Sequence, residues 1–201
     1  PEAERAAVSP DLLTNPELIW QIYGRLRKPM QEAVPNAAHY ALARLQKESG
    51  CDVRLVTQNV DGLHQRAGFE NVVELHGSLL RTRCSSCHLE PFEDPDGGPR
   101  PCPACGELLR PDIVLFGERI PEAAETAAFG AVLRCDLFLA VGTSGSVAPA
   151  NWLVSRADMY DARTLIVNLE PLEPPNPAFH REILGRAEVI LPGLFHWPGK
   201  V

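Results

Sequence analysis

Two Cys-x-x-Cys pairs constrain this chain more than any other feature. Cys84 and Cys87 form the first pair, Cys102 and Cys105 the second, and residues 88–101 lie between them. Each pair sets two thiols on one tight turn, and two such turns surround one tetrahedral ion. The spacing therefore points to a closed four-thiolate zinc site of the ribbon type. Four protein ligands leave no position for water or substrate, so the ion is read as structural. Arg81, Arg83 and Arg100 stand nearby in sequence and favour thiolates. Two other readings stay open on spacing alone. A pair of disulfides would suit a secreted chain, although no basic segment followed by an apolar core marks secretion. Cys84-Ser85-Ser86-Cys87-His88 also matches the C-x-x-C-H attachment site of c-type haem, which would leave Cys102 and Cys105 without a role. Cys51 and Cys135 have no partner at useful spacing and read as small apolar side chains.

Around this segment the texture is that of an α/β protein. Asn15 caps a first helix, with Pro16 at its first position and Glu17 at the positive end of its dipole. Leu18, Ile19, Ile22, Tyr23 and Leu26 then recur at helical spacing. A second helix starts after Pro35-Asn36 and stops at Gly50. Short apolar strands are expected at 53–56, 72–75, 136–141 and 164–167, with a weaker one at 189–191. Helices are expected from Pro121 to Leu133 and from Pro149 to Tyr160. Such alternation predicts a parallel sheet with helices on both faces, interrupted by the cysteine-rich piece at 80–112.

Composition limits the partners. The chain has 201 residues, 45% of them hydrophobic, and carries a net charge of −7 from 19 Lys+Arg against 26 Asp+Glu. Binding to nucleic acid or to an anionic membrane needs a basic surface, so neither is expected. No apolar stretch approaches the roughly 18–20 residues of a membrane span. The expectation is a cytoplasmic monomer.

In open α/β sheets the ligand crevice lies at the carboxyl ends of the strands. Four polar clusters fall there: 57–62, His76-Gly77, 142–146 and 168–170. Each alone suits a turn, but together they suggest a pocket sized for ribose and phosphate. The Gly142-Thr143-Ser144-Gly145-Ser146 loop offers N–H groups and hydroxyls ahead of a helix, which suits phosphate. His76 is the candidate base, because imidazole titrates near neutral pH and Gly77 lets another group approach.

These residues resemble a known family. Thr57-Gln58-Asn59-Val60-Asp61-Gly62-Leu63-His64, Glu74-Leu75-His76-Gly77, the two Cys-x-x-Cys pairs, the run from Arg110 to Glu118, Val141-Gly142-Thr143-Ser144 and Val167-Asn168 are similar to sirtuin motifs, in family order over about residues 16–194. The bacterial branch is the most similar. The resemblance implies a Rossmann-like NAD-binding domain from residues 1–79 and 113–201, with 10–49 as a candidate helical module, and a zinc module at 80–112. It implies an NAD-dependent protein-lysine deacylase that yields nicotinamide, free lysine and O-acyl-ADP-ribose.

By the same resemblance Gln58, Asn59 and Asp61 line the nicotinamide–ribose end of NAD. Asn59 and Asp61 join His76, the general base, as catalytic residues. Gly142, Thr143, Ser144 and Ser146 hold phosphates and ribose, Asn168 meets the adenosine ribose, and Ala187 lies by the adenine. Val114, Phe116, Gly117 and Val147 flank the acyl-lysine, whose peptide pairs as a strand with the segments near 114–118 and 145–149. The acyl oxygen attacks the ribose C1′ as nicotinamide leaves, and His76 then deprotonates a ribose hydroxyl.

Two departures stand out. The family's opening strand, its Gly-Ala-Gly-rich phosphate loop and the Phe-Arg segment over nicotinamide have no counterpart before Pro10, and are expected upstream of Pro1. Deacylases for succinyl- and malonyl-type chains carry Tyr-x-x-Arg in the early helix. Here Tyr23 is followed at that position by Leu26, and Arg27 at i+4 is either the cation for such a carboxylate or a solvated residue. The competing function is a zinc-ribbon binding module or a catalytically impaired fragment, which needs none of Asn59, Asp61 and His76.

Overall fold

The computed structural model describes residues 12, 14–143 and 150–195. The chain gathers into two compact units, one drawn from Pro1–Val34, Val56–Leu63 and Val73–Ala124, the other from Pro35–Leu55, His64–Val72 and Glu125–Val201. In chain order the elements are α1 (Pro16–Glu32), α2 (Ala37–Glu48), β1 (Val56–Thr57), α3 (Leu63–Arg66), β2 (Val73–Glu74), β3 (Gly77–Cys84), β4 (Phe92–Glu93), β5 (Leu109–Ile113), α4 (Glu122–Val132), β6 (Leu137–Val141), α5 (Ala150–Met159), β7 (Arg163–Asn168), β8 (Arg181–Leu184) and α6 (Ala187–Leu194).

In the first unit α1 starts as its sequence dictates. Asn15 Oδ1 accepts the Leu18 N–H at 3.1 Å, and Pro16 sits where no N–H is needed. Its stripe of Leu18, Ile19, Ile22 and Tyr23 packs with Leu12, Leu79, Ile113 and Leu115. Each such side chain gains roughly 1.5–3 kcal/mol on full burial. Leu26 leaves the stripe and is exposed. The buried Trp20 indole N–H donates to Leu109 O at 2.8 Å, which binds α1 to β5, the strand paired with the Cys84 end of β3. β3 pairs antiparallel with β4 on one side and β5 on the other, and β1 pairs parallel with β2.

The second unit holds a parallel sheet in the order β6-β7-β8. Alternation turns Leu139, Val141, Val167 and Ile183 to one face, where they pack with Ala38, Ala41 and Leu42 of α2 and with Ala187, Ile190 and Leu191 of α6. α5 packs on β6 and β7. These parallel strands with crossing helices make the fold Rossmann-like α/β. α2 is capped by Asn36, whose side chain accepts the Ala38 and His39 N–H groups while His39 Nδ1 accepts the Asn36 N–H. Gly50, at φ +72°, lets the chain turn away after it.

Two expectations are corrected. The strand expected at 189–191 is part of α6. Ala187, Ile190, Leu191 and Phe195 recur at helical spacing and all meet the core, and that contact overrides the β-branched pair Val189-Ile190. The strand in this region is β8, whose charged Arg181-Glu182 start hid it. The strand expected at 53–56 makes a ladder only at Val56–Thr57. One ladder runs from Gly77–Ile113 to Cys84–Leu109, so β3 and β5 pass across positions 80 and 112. α1 falls in the first unit and α2 in the second.

Candidate active site

The first unit assembles the residues expected to act on substrate. β1 and β2 run parallel, so the segments that follow them lie side by side. Leu75 N–H donates to Thr57 O at 2.9 Å and Leu79 N–H to Val60 O at 2.9 Å. Within that lashing His76 Nδ1 lies 3.1 Å from Gln58 O. A carbonyl oxygen only accepts, so Nδ1 carries a proton, and in the neutral ring the lone pair falls to Nε2. Gly77 follows at φ +73°, and a Cβ there would stand 2.1 Å from Asp112 O, so only glycine fits this turn. Asn59 N–H donates to Thr57 Oγ1, and Asp61 Oδ1 accepts the Leu63 N–H at 2.9 Å at the start of α3. Gln58 Nε2 is buried without a hydrogen-bond partner, a donor of the kind that a polar ligand satisfies.

The loop after β5 is set against the same turn. Val114 N–H donates to His76 O at 3.0 Å. Arg110, buried, grips Glu118 in a fork of 2.6 and 2.9 Å, and Glu118 Oε2 also accepts the Leu115 N–H at 2.8 Å. Burial raises the Glu118 pKa, but Arg110 and that N–H outweigh it and hold the carboxyl below its usual range. The clamp closes a loop on which Phe116 is 64% exposed and Gly117 turns at φ +92°. Sequence reasoning gave Arg110 and Glu118 no role. Their eight-residue separation matches no local spacing rule, and only the folded loop brings them together.

Tyr23 is half-buried against the Leu79–Ile113 cluster. Burial raises its pKa and Arg110 partly lowers it again, so its hydroxyl keeps its proton. Arg27 is neither of the two things expected of it. It is 4% exposed, and its guanidinium donates to Leu80 O at 3.0 Å, to Arg81 O and to Asp94 O. It stacks 5.3 Å from the Trp20 ring centroid, while Gly97 packs on its other side. Those partners tie the Arg27 guanidinium to the 94–97 turn.

The second unit carries the residues expected at phosphate, ribose and adenine. Gly142 turns at φ +62° after β6, with open space where a Cβ would stand. Asn168, at the end of β7, accepts the Thr143 N–H at 3.1 Å and donates to Thr143 O at 2.9 Å. Its amide thus shapes the Thr143 loop. Ala187 opens α6 and packs into the core beneath. Ser144, Ser146 and Val147 lie outside the described residues.

The four cysteines converge. Cys84, Cys87, Cys102 and Cys105 place their Sγ atoms within 4.8 Å of one another. Cys84–Cys105 is 3.5 Å and Cys87–Cys102 3.7 Å, close to the roughly 3.8 Å edge of a tetrahedron with Zn–S bonds of about 2.3 Å. Ser86 and Cys87 N–H groups point at Cys84 Sγ and the Ala104 N–H at Cys102 Sγ, as thiolates require. Burial raises the Cys84 thiol, but the Cys87 and Ser86 N–H groups overcome it and bring it to about 6. All six cysteines are free, and four of them meet as one cluster, the arrangement of metal ligands rather than of two separate bridges. A haem thioether at Cys84 and Cys87 would break a cluster that includes Cys102 and Cys105. The donor set fits one structural zinc ion.

A model of the Sir2 family matches residues 2–149. An NAD-dependent protein deacylase of Pyrococcus furiosus is 40% identical over 203 residues, covering 96% of this chain and 79% of that protein. NAD-dependent protein deacylase 1 of Pseudomonas aeruginosa is 42% identical over 197 residues, covering 92% and 78%. Two other relatives are matched over 64% and 66% of their length. A Sir2 homolog solved with NAD superposes with a TM-score of 0.86 at 34% identity, over 94% of this chain and 75% of that one. Sir2Tm bound to a propionylated peptide superposes with 0.82 at 30% identity, over 96% and 83%. On these matches the chain belongs to the Sir2 family.

Proposed function

We propose that the protein is an NAD-dependent protein-lysine deacylase that releases free lysine, nicotinamide and O-acyl-ADP-ribose. The observation that carries the reading is His76, whose Nδ1 proton is tied to Gln58 O and whose Nε2 is left to take a proton. When bound, NAD supplies an electrophilic ribose carbon with nicotinamide as its leaving group. In the first unit Gln58, Asn59 and Asp61 are assigned to its nicotinamide–ribose end, with the unpartnered Gln58 Nε2 as a donor. In the second unit Gly142, Thr143, Ser144 and Ser146 are assigned to phosphate and ribose, Asn168 to the adenosine ribose through the Thr143 loop it holds, and Ala187 to the adenine edge. Val114, Phe116, Gly117 and Val147 are assigned to the acyl-lysine, and Tyr23 to the acyl chain as a hydroxyl donor.

The zinc ion holds β3, β5 and the 84–105 turns together and takes no part in proton transfer. Neutral acyl chains are the better substrates in this reading. A succinyl carboxylate needs a cation to offset its desolvation, and the motif position holds Leu26 while Arg27 is engaged elsewhere. A zinc-ribbon binding module is not favoured, because it has no use for the His76 geometry. The protein is assigned to the cytoplasm, where zinc-bound thiolates and the unpaired Cys51 and Cys135 persist reduced. Among the described residues no helix is long and apolar enough to cross a membrane. A monomer without nucleic-acid or membrane partners completes the reading, and the net charge of −7 opposes binding to polyanions.

The test incubates the protein, in its natural full sequence, with NAD and an acetylated or propionylated lysine peptide. Mass spectrometry should find deacylated peptide, nicotinamide and O-acyl-ADP-ribose in equal amounts. NAD loss that does not depend on the acylated peptide would refute the assignment.

A further inference from the structure

Arg81 holds two carboxylates at once. Its Nη2 lies 2.7 Å from Glu74 Oε2 and its Nε 2.9 Å from Asp112 Oδ2, and the two acids are only 11% and 13% exposed. Glu74 ends β2, two residues before His76. Asp112 lies in register with Ser78, and its carbonyl oxygen presses on Gly77. One carboxylate therefore comes from β2, which leads into the His76-Gly77 turn, and the other from β5, which pairs with the Gly77 end of β3. Backbone bonds hold the turn itself, through Leu75 N–H to Thr57 O and Val114 N–H to His76 O, but the ladder that should brace it from behind is interrupted. The β3–β5 ladder pairs Gly77 with Ile113 and Ser78 with Asp112, then resumes only at Thr82 with Pro111. The register shift between Ser78 and Thr82 is a bulge, where ladder bonds are missing and a strand bends. Arg81 stands within that shift and spans it with side-chain bonds.

We propose that Arg81 is a positioning residue for the base. Through Glu74 and Asp112 it fixes the turn so that His76 Nδ1 meets Gln58 O and Nε2 is aimed for proton abstraction. The guanidinium suits this task because its rigid fork serves two carboxylates from two nitrogens, whereas an ammonium is a point charge. The inference rests on the deacylase reading, in which His76 acts only after nicotinamide has left.

Arg81→Met, Arg81→Lys, Glu74→Gln and Asp112→Asn, each made in the natural full-length protein, test it with two reactions and one exchange measurement. Arg81→Met should lower the deacylation kcat by tenfold or more. Nicotinamide exchange, which needs no base, and the KM for NAD should stay within about threefold. Arg81→Lys should recover part of kcat, and each single-carboxylate variant should lose less than Arg81→Met. Amide hydrogen exchange should speed up at least tenfold at Val114, which donates to His76 O, and remain unchanged at Leu109, which donates to Arg100 O. Equal loss of both reactions, an unaltered kcat, or faster exchange at both amides would make Arg81 an ordinary stabilising ion pair. A wild type that performs neither reaction would overturn the deacylase reading instead, and the Val114 amide would still decide whether Arg81 holds the turn.

Discussion

Replacing Arg27 by Met separates a structural arginine from a substrate-reading one. The methionine keeps most of the apolar stem beside Trp20 and removes the guanidinium, which is 4% exposed and donates to the carbonyls of Leu80, Arg81 and Asp94. A hydrogen bond from a charged donor is worth about 1.5–3 kcal/mol, and stacking over Trp20 adds about 0.5–1 kcal/mol. Against this stands the desolvation of the cation, several kcal/mol, worsened by an Nε that finds no acceptor. The net loss should be about 2–4 kcal/mol, or roughly 5–15 °C in Tm for a chain of this size. Urea unfolding at pH 7 should show the loss as a lower midpoint with an unchanged slope. Well below Tm, kcat/KM for acetyl- and succinyl-lysine peptides should keep the same ratio in the variant and the wild type. Normal stability together with a tenfold fall in the succinyl value alone would refute the argument and return Arg27 to the acyl site.

His76→Asn should lower deacylation by about 10²–10⁴-fold with an unchanged circular dichroism spectrum; near-normal turnover would remove this histidine from the mechanism. Metal analysis of reduced protein should find one zinc ion per chain, and chelation at pH 7 should lower Tm by about 10 °C or more, because the ion's binding energy is folding energy. Glu118→Gln should cost about 2–4 kcal/mol at pH 7, since it strands the buried Arg110. Glu118 titrates lower folded than unfolded, so its contribution is complete above about pH 4.5 and fades as pH falls through the folded value. Urea midpoints of wild type and variant should therefore differ at pH 6 and converge at low pH. Gly77→Ala adds a left-handed penalty of about 1–2 kcal/mol to a 2.1 Å clash with Asp112 O, and should reduce turnover even where the protein remains folded, as near-UV dichroism and kcat together would report.

Local signals in the sequence reached far where local chemistry decides the outcome. Asn15 caps the helix it was expected to cap, and the second helix starts after Pro35-Asn36 as expected, because a cap joins residues only two or three apart. The cysteine spacing located the metal ligands, because a thiolate knuckle is also local. The candidate base was legible as a histidine beyond an apolar strand, but the partner of its Nδ1 was not. That partner is Gln58 O, which only the parallel pairing of β1 and β2 brings to it. The 189–191 segment failed in the opposite sense, since its β-branched texture says strand and its contacts with α2 and β7 make it helix.

Arg27 shows why such failures concentrate in long charged side chains. Helical spacing places Tyr23 and Arg27 on one face of α1, and that inference is sound as far as Cβ. Beyond Cβ the guanidinium can travel several ångströms, and its destination is set by whatever carbonyls lie within reach. Here Gly97 admits it, at φ +45°, since a Cβ there would fall 2.7 Å from Arg27 Cζ. The mark of that contact in the sequence is a glycine seventy residues away, inside a Pro-Asp-Gly-Gly-Pro run that reads as an ordinary turn. A helical face thus identifies which backbone position is near a site. Only the acceptors around the side chain decide whether its charge is available there, and for Arg27 they have already taken it.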